Sequence, residues 1–156
     1  MKYSHEDLKQ IGLSCLNLSL RRTTRLVTSY YDSMLKPSGL RITQFTVLAG
    51  IEYGKDLSIT DLSRLTDIDR TTLQRSLEIL NRDGLINVEK KEIGNVRSLT
   101  LTKKGETKLT QAIELWRLAQ KTMIDELGKS AFKQTLNSLT ELRDLPVLQV
   151  GFETDK

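Results

Sequence analysis

Apolar residues at the start of the chain recur every three or four positions. Leu8, Ile11, Cys15 and Leu18 fall on one helical face, and Ser4 followed three residues later by Asp7 has the form of a capping box. The pattern predicts one long helix from about Ser4 to Lys36, stopped by Pro37 and Gly39. A helix of about twenty-five residues or more exceeds the usual globular length and calls for a partner helix elsewhere or in a second subunit. Ile42, Phe45, Leu48 and Ile51 set a second helix over about 42–53, closed by Gly54. "SITDLSRLTD" offers Thr60 as the N-cap of a short third helix with Leu62 and Leu65 inward. Asp69 caps a fourth, from 70 to about 82, whose inward stripe is Leu73, Leu77 and Leu80. Two short helices joined by "TDID" make a helix-turn-helix.

After Gly84 the period changes. Ile86 with Val88, then Leu99 with Leu101, alternate with polar residues on either side of "IGN", which predicts a two-stranded hairpin. From Thr102 the helical spacing returns, with Leu109, Ala112, Ile113 and Trp116 together and a break at Gly128. Phe132, Leu136, Leu139 and Leu142 define a last helix ending before Pro146. The chain is therefore mainly α with a small β wing: a helix-turn-helix backed by a hairpin, which is a winged helix, flanked by long helices. Three segments follow: an N-terminal helix over 1–36, a winged helix-turn-helix lobe over 37–104 and C-terminal helices over 105–156.

The 156 residues suit one ordinary domain, 38% apolar and 28% charged, with a formal charge of +4 and a pI of about 9.2. Residues 1–58 carry eight basic and five acidic side chains, 59–108 ten and eight, and 109–156 six and seven. The basic excess thus lies in the first two-thirds and favours a polyanionic partner. Cys15 is the lone cysteine, so no intrachain disulfide forms, and the N-terminal residues lack the apolar run of a signal peptide. No segment is apolar enough to span a bilayer, and the expected location is the cytoplasm. His5, the single histidine, has no cysteine or histidine at ligand spacing, and no glycine-rich phosphate loop is present. Neither a metal site nor a cofactor is expected, nor an enzyme.

With Leu73, Leu77 and Leu80 inward, the opposite face of the fourth helix carries Thr71, Gln74, Arg75, Glu78 and Arg82. Arginine grips guanine O6 and N7 in a fork, glutamine does the same for adenine, and threonine meets a phosphate or a thymine methyl. The helix N-terminus adds amide donors for a phosphate. This face is suited to the major groove of double-stranded DNA, with Thr71, Gln74 and Arg75 on bases, and Arg70, Thr72 and, from the wing, Lys90 or Lys91 on phosphates. Exposed helical faces are often rich in such residues, and a winged helix that binds a protein instead of DNA is the competing reading.

The segments "LKPSGLRITQFTVL", "DRTTLQRSLEIL", "RDGLI", "LTLTKKG" and the helix containing Trp116 together resemble the MarR family of bacterial transcriptional regulators. The resemblance spans nearly the whole chain. It implies a homodimer whose first and last helices interlock while two winged lobes reach successive major grooves of a pseudo-palindromic operator, more often as a repressor. Leu8, Ile11, Leu18, Phe132, Leu136, Leu139 and Leu142 would then be dimer contacts, the alternative being a bundle within one chain. Many members carry Asp-x-Arg at the wing tip, where this sequence has Ile93 and Asn95. The departure removes the arginine that enters the minor groove in those members, leaving Asn95 to meet a base edge and Arg97, Lys90 or Lys91 to supply charge. The resemblance also implies a small aromatic or phenolic effector, for which Arg22, Tyr30, Tyr31 and Trp116 are the candidate lining. Peroxide sensors of the family use a cysteine near the start of the first helix, which makes Cys15 a redox candidate, although its spacing with Ile11 and Leu18 places it on the packed stripe.

Overall fold

The winged-helix order expected from the periodicity is the order observed. The computed structural model describes residues 3–55, 57–90 and 97–149, and the chain divides into two units, residues 1–116 and 117–156. The first unit opens with α1 (His5–Ser14) and α2 (Leu16–Leu35). Ser4 caps α1 as expected: its hydroxyl accepts the Asp7 amide at 3.1 Å while the Asp7 carboxylate accepts the Ser4 amide at 2.7 Å. The single long helix is not observed, because Cys15 is extended (φ −70°, ψ 111°) and separates the two. Gly12, Ser14, Cys15 and Asn17 are all weak helix formers, and Ser14 turns its hydroxyl back onto the Gln10 carbonyl at 2.9 Å. No residue of α1 is buried, so no packing holds the axis straight through this stretch. Cys15 is accordingly a half-buried residue at a break, not a member of a continuous helical stripe.

A 3₁₀ turn (Lys36–Ser38) follows α2 and ends at Gly39, whose φ of 76° is the left-handed conformation that favours glycine. Then come α3 (Ile42–Gly54), α4 (Ile59–Thr66), α5 (Arg70–Arg82), β1 (Ile86–Lys90), β2 (Arg97–Leu101) and α6 (Lys103–Leu127). The N-cap of α4 is Ser58 and not Thr60, because the Ser58 hydroxyl takes the Asp61 amide at 3.1 Å. Helix α3 lies at the centre, packed against α4, α5 and β2, with Phe45, Val47, Leu48 and Ile51 buried. Leu62 of α4, Leu73, Leu77 and Leu80 of α5, Ile86 and Leu99 of the wing, and Leu109 and Ala112 of α6 complete one core. The strands pair antiparallel with Ile86 opposite Leu101 and Val88 opposite Leu99, which puts the alternating apolar residues on the core side.

Helix α6 is fastened to this core through backbone groups. Gly105 approaches so closely that a Cβ there would lie 2.0 Å from the Leu85 carbonyl oxygen. The Thr102 hydroxyl donates to the Gly84 carbonyl at 2.7 Å, and the Lys104 ammonium to that of Asp83 at 2.7 Å. One and two turns further on, Lys108 donates to the Ser38 carbonyl at 2.7 Å and Gln111 to that of Pro37 at 3.4 Å.

In the second unit α6 continues to Leu127, with an i,i+4 ion pair between Lys121 and Asp125. Gly128 (φ 80°) precedes α7 (Lys129–Arg143), which buries none of its residues. A final short turn, α8 (Pro146–Gln149), begins at the proline that was expected only to mark an end. Proline fits there because the first helical position needs no amide donor.

Candidate nucleic-acid interface

The face expected to meet DNA is built on α5, and its start is fixed from both sides of the turn. Asp67 closes α4 in the left-handed region (φ 54°), its amide donating to the Ser63 carbonyl. The Ser63 hydroxyl donates to the Ile68 carbonyl at 2.5 Å, which ties α4 to the turn. Asp69 then opens α5, accepting the Thr72 amide at 2.9 Å, and its own carbonyl takes the Leu73 amide at 2.8 Å. Hydrogen bonds from the Thr72 side chain and amide hold the Asp69 carboxyl below its ordinary value of 3.8.

From this start Leu73, Ser76, Leu77 and Leu80 turn into the core. Arg70, Thr71, Thr72, Gln74, Arg75, Glu78 and Arg82 are all exposed. Arg70, Thr71, Gln74, Arg75 and Glu78 line one open, shallow depression, so the side chains expected to meet DNA are brought together. Arg82 stands at the far end, its guanidinium 3.2 Å from the Asp83 carboxylate. In the wing, Lys90 and Arg97 are paired across the strands at the last register position before the connecting segment 91–96. Lys91, Ile93 and Asn95 lie outside the described residues. Sequence reasoning placed Glu78 on this face without giving it a role, because nothing in the letters separates it from an ordinary solvated acid.

The residues expected to line an effector site are less gathered. Tyr30 and Tyr31 meet edge to face at 5.5 Å on α2, and burial together with Tyr30 pushes the Tyr31 phenol up. Arg22, two turns earlier on α2, is exposed beside Arg21 and Arg25 in an open depression. Trp116 stacks on Phe45 with 6.3 Å between ring centroids, against the core of the winged lobe. Among the described residues no cluster of three or more histidine, cysteine or acidic side chains could hold a metal ion, and none of their helices is long and apolar enough to cross a membrane.

The chain resembles known proteins over this same region and beyond it. Residues 38–92 match the family model described as MarR family. No curated protein sequence matches significantly. Among solved structures, the M. tuberculosis transcriptional regulator MosR is 33% identical, with a TM-score of 0.72 over 85% of this chain and 97% of that one. A second structure of MosR, in complex with DNA, is 32% identical over 85% of this chain and all of the other, with a TM-score of 0.69. The transcriptional repressor CouR, bound to a 23-mer DNA duplex, shares the fold at 21% identity and a TM-score of 0.76, over 91% of this chain and 99% of that one. So does the organohalide-sensing regulator RdhR in its 2,4-dichlorophenol-bound form, at 18% identity and a TM-score of 0.80, over 99% and 88%.

Proposed function

The chain belongs to the MarR family of transcriptional regulators, and from that premise we propose that it is a cytoplasmic repressor that binds a pseudo-palindromic operator as a homodimer and is released by a small aromatic or phenolic ligand. The observation that carries the reading is the division of α5 into two faces. One completes the core; the other presents two arginines, a glutamine and a threonine in a single open depression, on a helix whose start is locked by Asp69 and Ser63. A rigid helix with that face outward enters a major groove without rearranging the lobe that carries it. Thr71, Gln74 and Arg75 read base edges, Arg70 and Thr72 meet phosphates at the helix N-terminus, Arg82 and the wing residues Lys90, Lys91 and Arg97 follow the flanking backbone, and Asn95 meets a base edge.

The lobe over 37–104 reads, and the segments over 1–36 and 105–156 join two copies. That division is supported by the large apolar side chains left in solvent on the outer helices, among them Leu8, Ile11 and Leu13 of α1 and Leu136 and Leu139 of α7. Two copies related by a two-fold axis place two α5 helices on two half-sites, which is why a palindrome is the matching operator. The effector reading draws on the dichlorophenol held by RdhR and on the paired Tyr30 and Tyr31. A titration of the DNA upstream of the protein's own coding region tests the whole. Retardation that weakens steeply as salt is raised is expected from phosphate contacts; a shallow salt dependence contradicts it.

A further inference from the structure

Helix α5 turns once every 3.6 residues, so Thr71, Arg75, Glu78 and Arg82 form one stripe opposite Leu73, Leu77 and Leu80. Glu78 is thus as outward as Thr71 and Arg75, and lies two turns beyond Thr71, about 10.5 Å along the axis. That distance matches about three base-pair steps of 3.4 Å. The Glu78 carboxylate is also chemically uncommitted. Arg82, one turn on and well placed for an ion pair with it, is instead taken by Asp83 at 3.2 Å, and the Glu78 side chain makes no hydrogen bond or ion pair among the described residues. It borders a second depression, toward the wing, with Gln74, Asn81 and Val88.

An unpaired carboxylate on a face that meets a polyanion weakens every complex unless the duplex returns a donor. In the major groove the donors are exocyclic amines: cytosine offers N4 alone, adenine offers N6 beside the N7 acceptor, and guanine and thymine offer only acceptors. We infer that Glu78 is a specificity-determining residue of the operator, accepting the N4 amine of a cytosine at one position of each half-site and rejecting guanine and thymine there. The inference rests on the DNA-binding reading of α5 given above.

The test is selection of bound duplexes from a random pool by the full-length protein, by Glu78→Ala, by Glu78→Gln and by Arg75→Ala. Wild type is expected to return cytosine at one position about three base pairs from the one contacted near Thr71. Glu78→Ala should lose preference at that position alone, and Glu78→Gln should move it toward adenine. In titrations, changing that cytosine to thymine should weaken wild type by about 5- to 100-fold, the size of a good base contact, and leave Glu78→Ala unchanged. Thermal melts should match, since Glu78 supports no other residue. Identical selections by wild type and Glu78→Ala, with Arg75→Ala still relaxing its own position, overturn the role of Glu78 while leaving α5 as the reader. A wild type that selects no sequence overturns both.

Discussion

The winged lobe and the outer helices are made from similar residues and end in opposite states. Leu48, Leu62, Leu73 and Leu80 are wholly buried, whereas Ile11, Leu13 and Leu26 remain 58%, 72% and 65% exposed. Apolar residues in the lobe converge from α2, α4, α5 and β2 on α3; those of α1 and α7 are left exposed on helices that bury nothing. The lobe has what a fold needs by itself, and the outer helices carry surface that a second copy would cover. A protein divided this way can keep its reading surface rigid while the geometry between two copies responds to a ligand.

One substitution made in both regions should separate them most strongly. Gly105→Ala places a methyl 2.0 Å from the Leu85 carbonyl oxygen, and overpacking against backbone should cost the lobe about 3 kcal/mol or more in urea denaturation. Gly12→Ala in α1, where nothing lies within 4 Å, should leave stability equal or slightly higher through helix propensity. Equal losses at both positions would erase the distinction between core and outer helix.

Charge placed on the outer helices should act on assembly and not on folding. Ile11→Glu combined with Leu139→Glu is expected to give a sedimenting monomer whose lobe melts at an unchanged temperature. If the double variant stays dimeric, those faces are not the interface. A step smaller, Arg75→Ala should weaken operator binding by about 5- to 100-fold, and Arg97→Ala should weaken it less. The reverse order in a binding titration would move the centre of recognition from α5 to the wing.

The smallest effect concerns the cap of α5. Because the folded Asp69 carboxyl sits below its ordinary value of 3.8, its contribution is present above that value and is lost as pH falls through the lower, folded one. Asp69→Asn keeps an acceptor for the Thr72 amide but carries no charge. The melting temperatures of wild type and Asp69→Asn should differ at neutral pH and converge as the solution is acidified well below the ordinary value of 3.8. A gap that stays constant would remove the charged cap from the account.

The lobe was legible because three independent signals coincide there: helical spacing in α3 and α5, alternation in the wing, and punctuation at Pro37, Gly39, Asp69 and Gly84. The reading face followed directly, since fixing Leu73, Leu77 and Leu80 inward leaves only one direction for Thr71 and Arg75. Boundaries failed where two residues compete for one task. Ser58 and Thr60 both suit a cap, and only the bond to the Asp61 amide decides. The break at Cys15 has no proline to announce it and arises from the absence of packing, a property of neighbours and not of letters. The grip of Lys104 and Lys108 on the carbonyls of Asp83 and Ser38 was invisible because every residue offers the same carbonyl. Glu78 was legible in place but not in purpose, which depends on Arg82 turning to Asp83.

The central claim is that the polar face of α5 enters the major groove twice in each complex. Chemical protection of guanine N7, an atom exposed only in that groove, tests it most directly on an operator recovered by selection. Two protected patches about one helical turn apart are expected, both lost in Arg75→Ala at concentrations where wild type is saturated. Protection that is absent, confined to one patch, or unchanged in Arg75→Ala would contradict it.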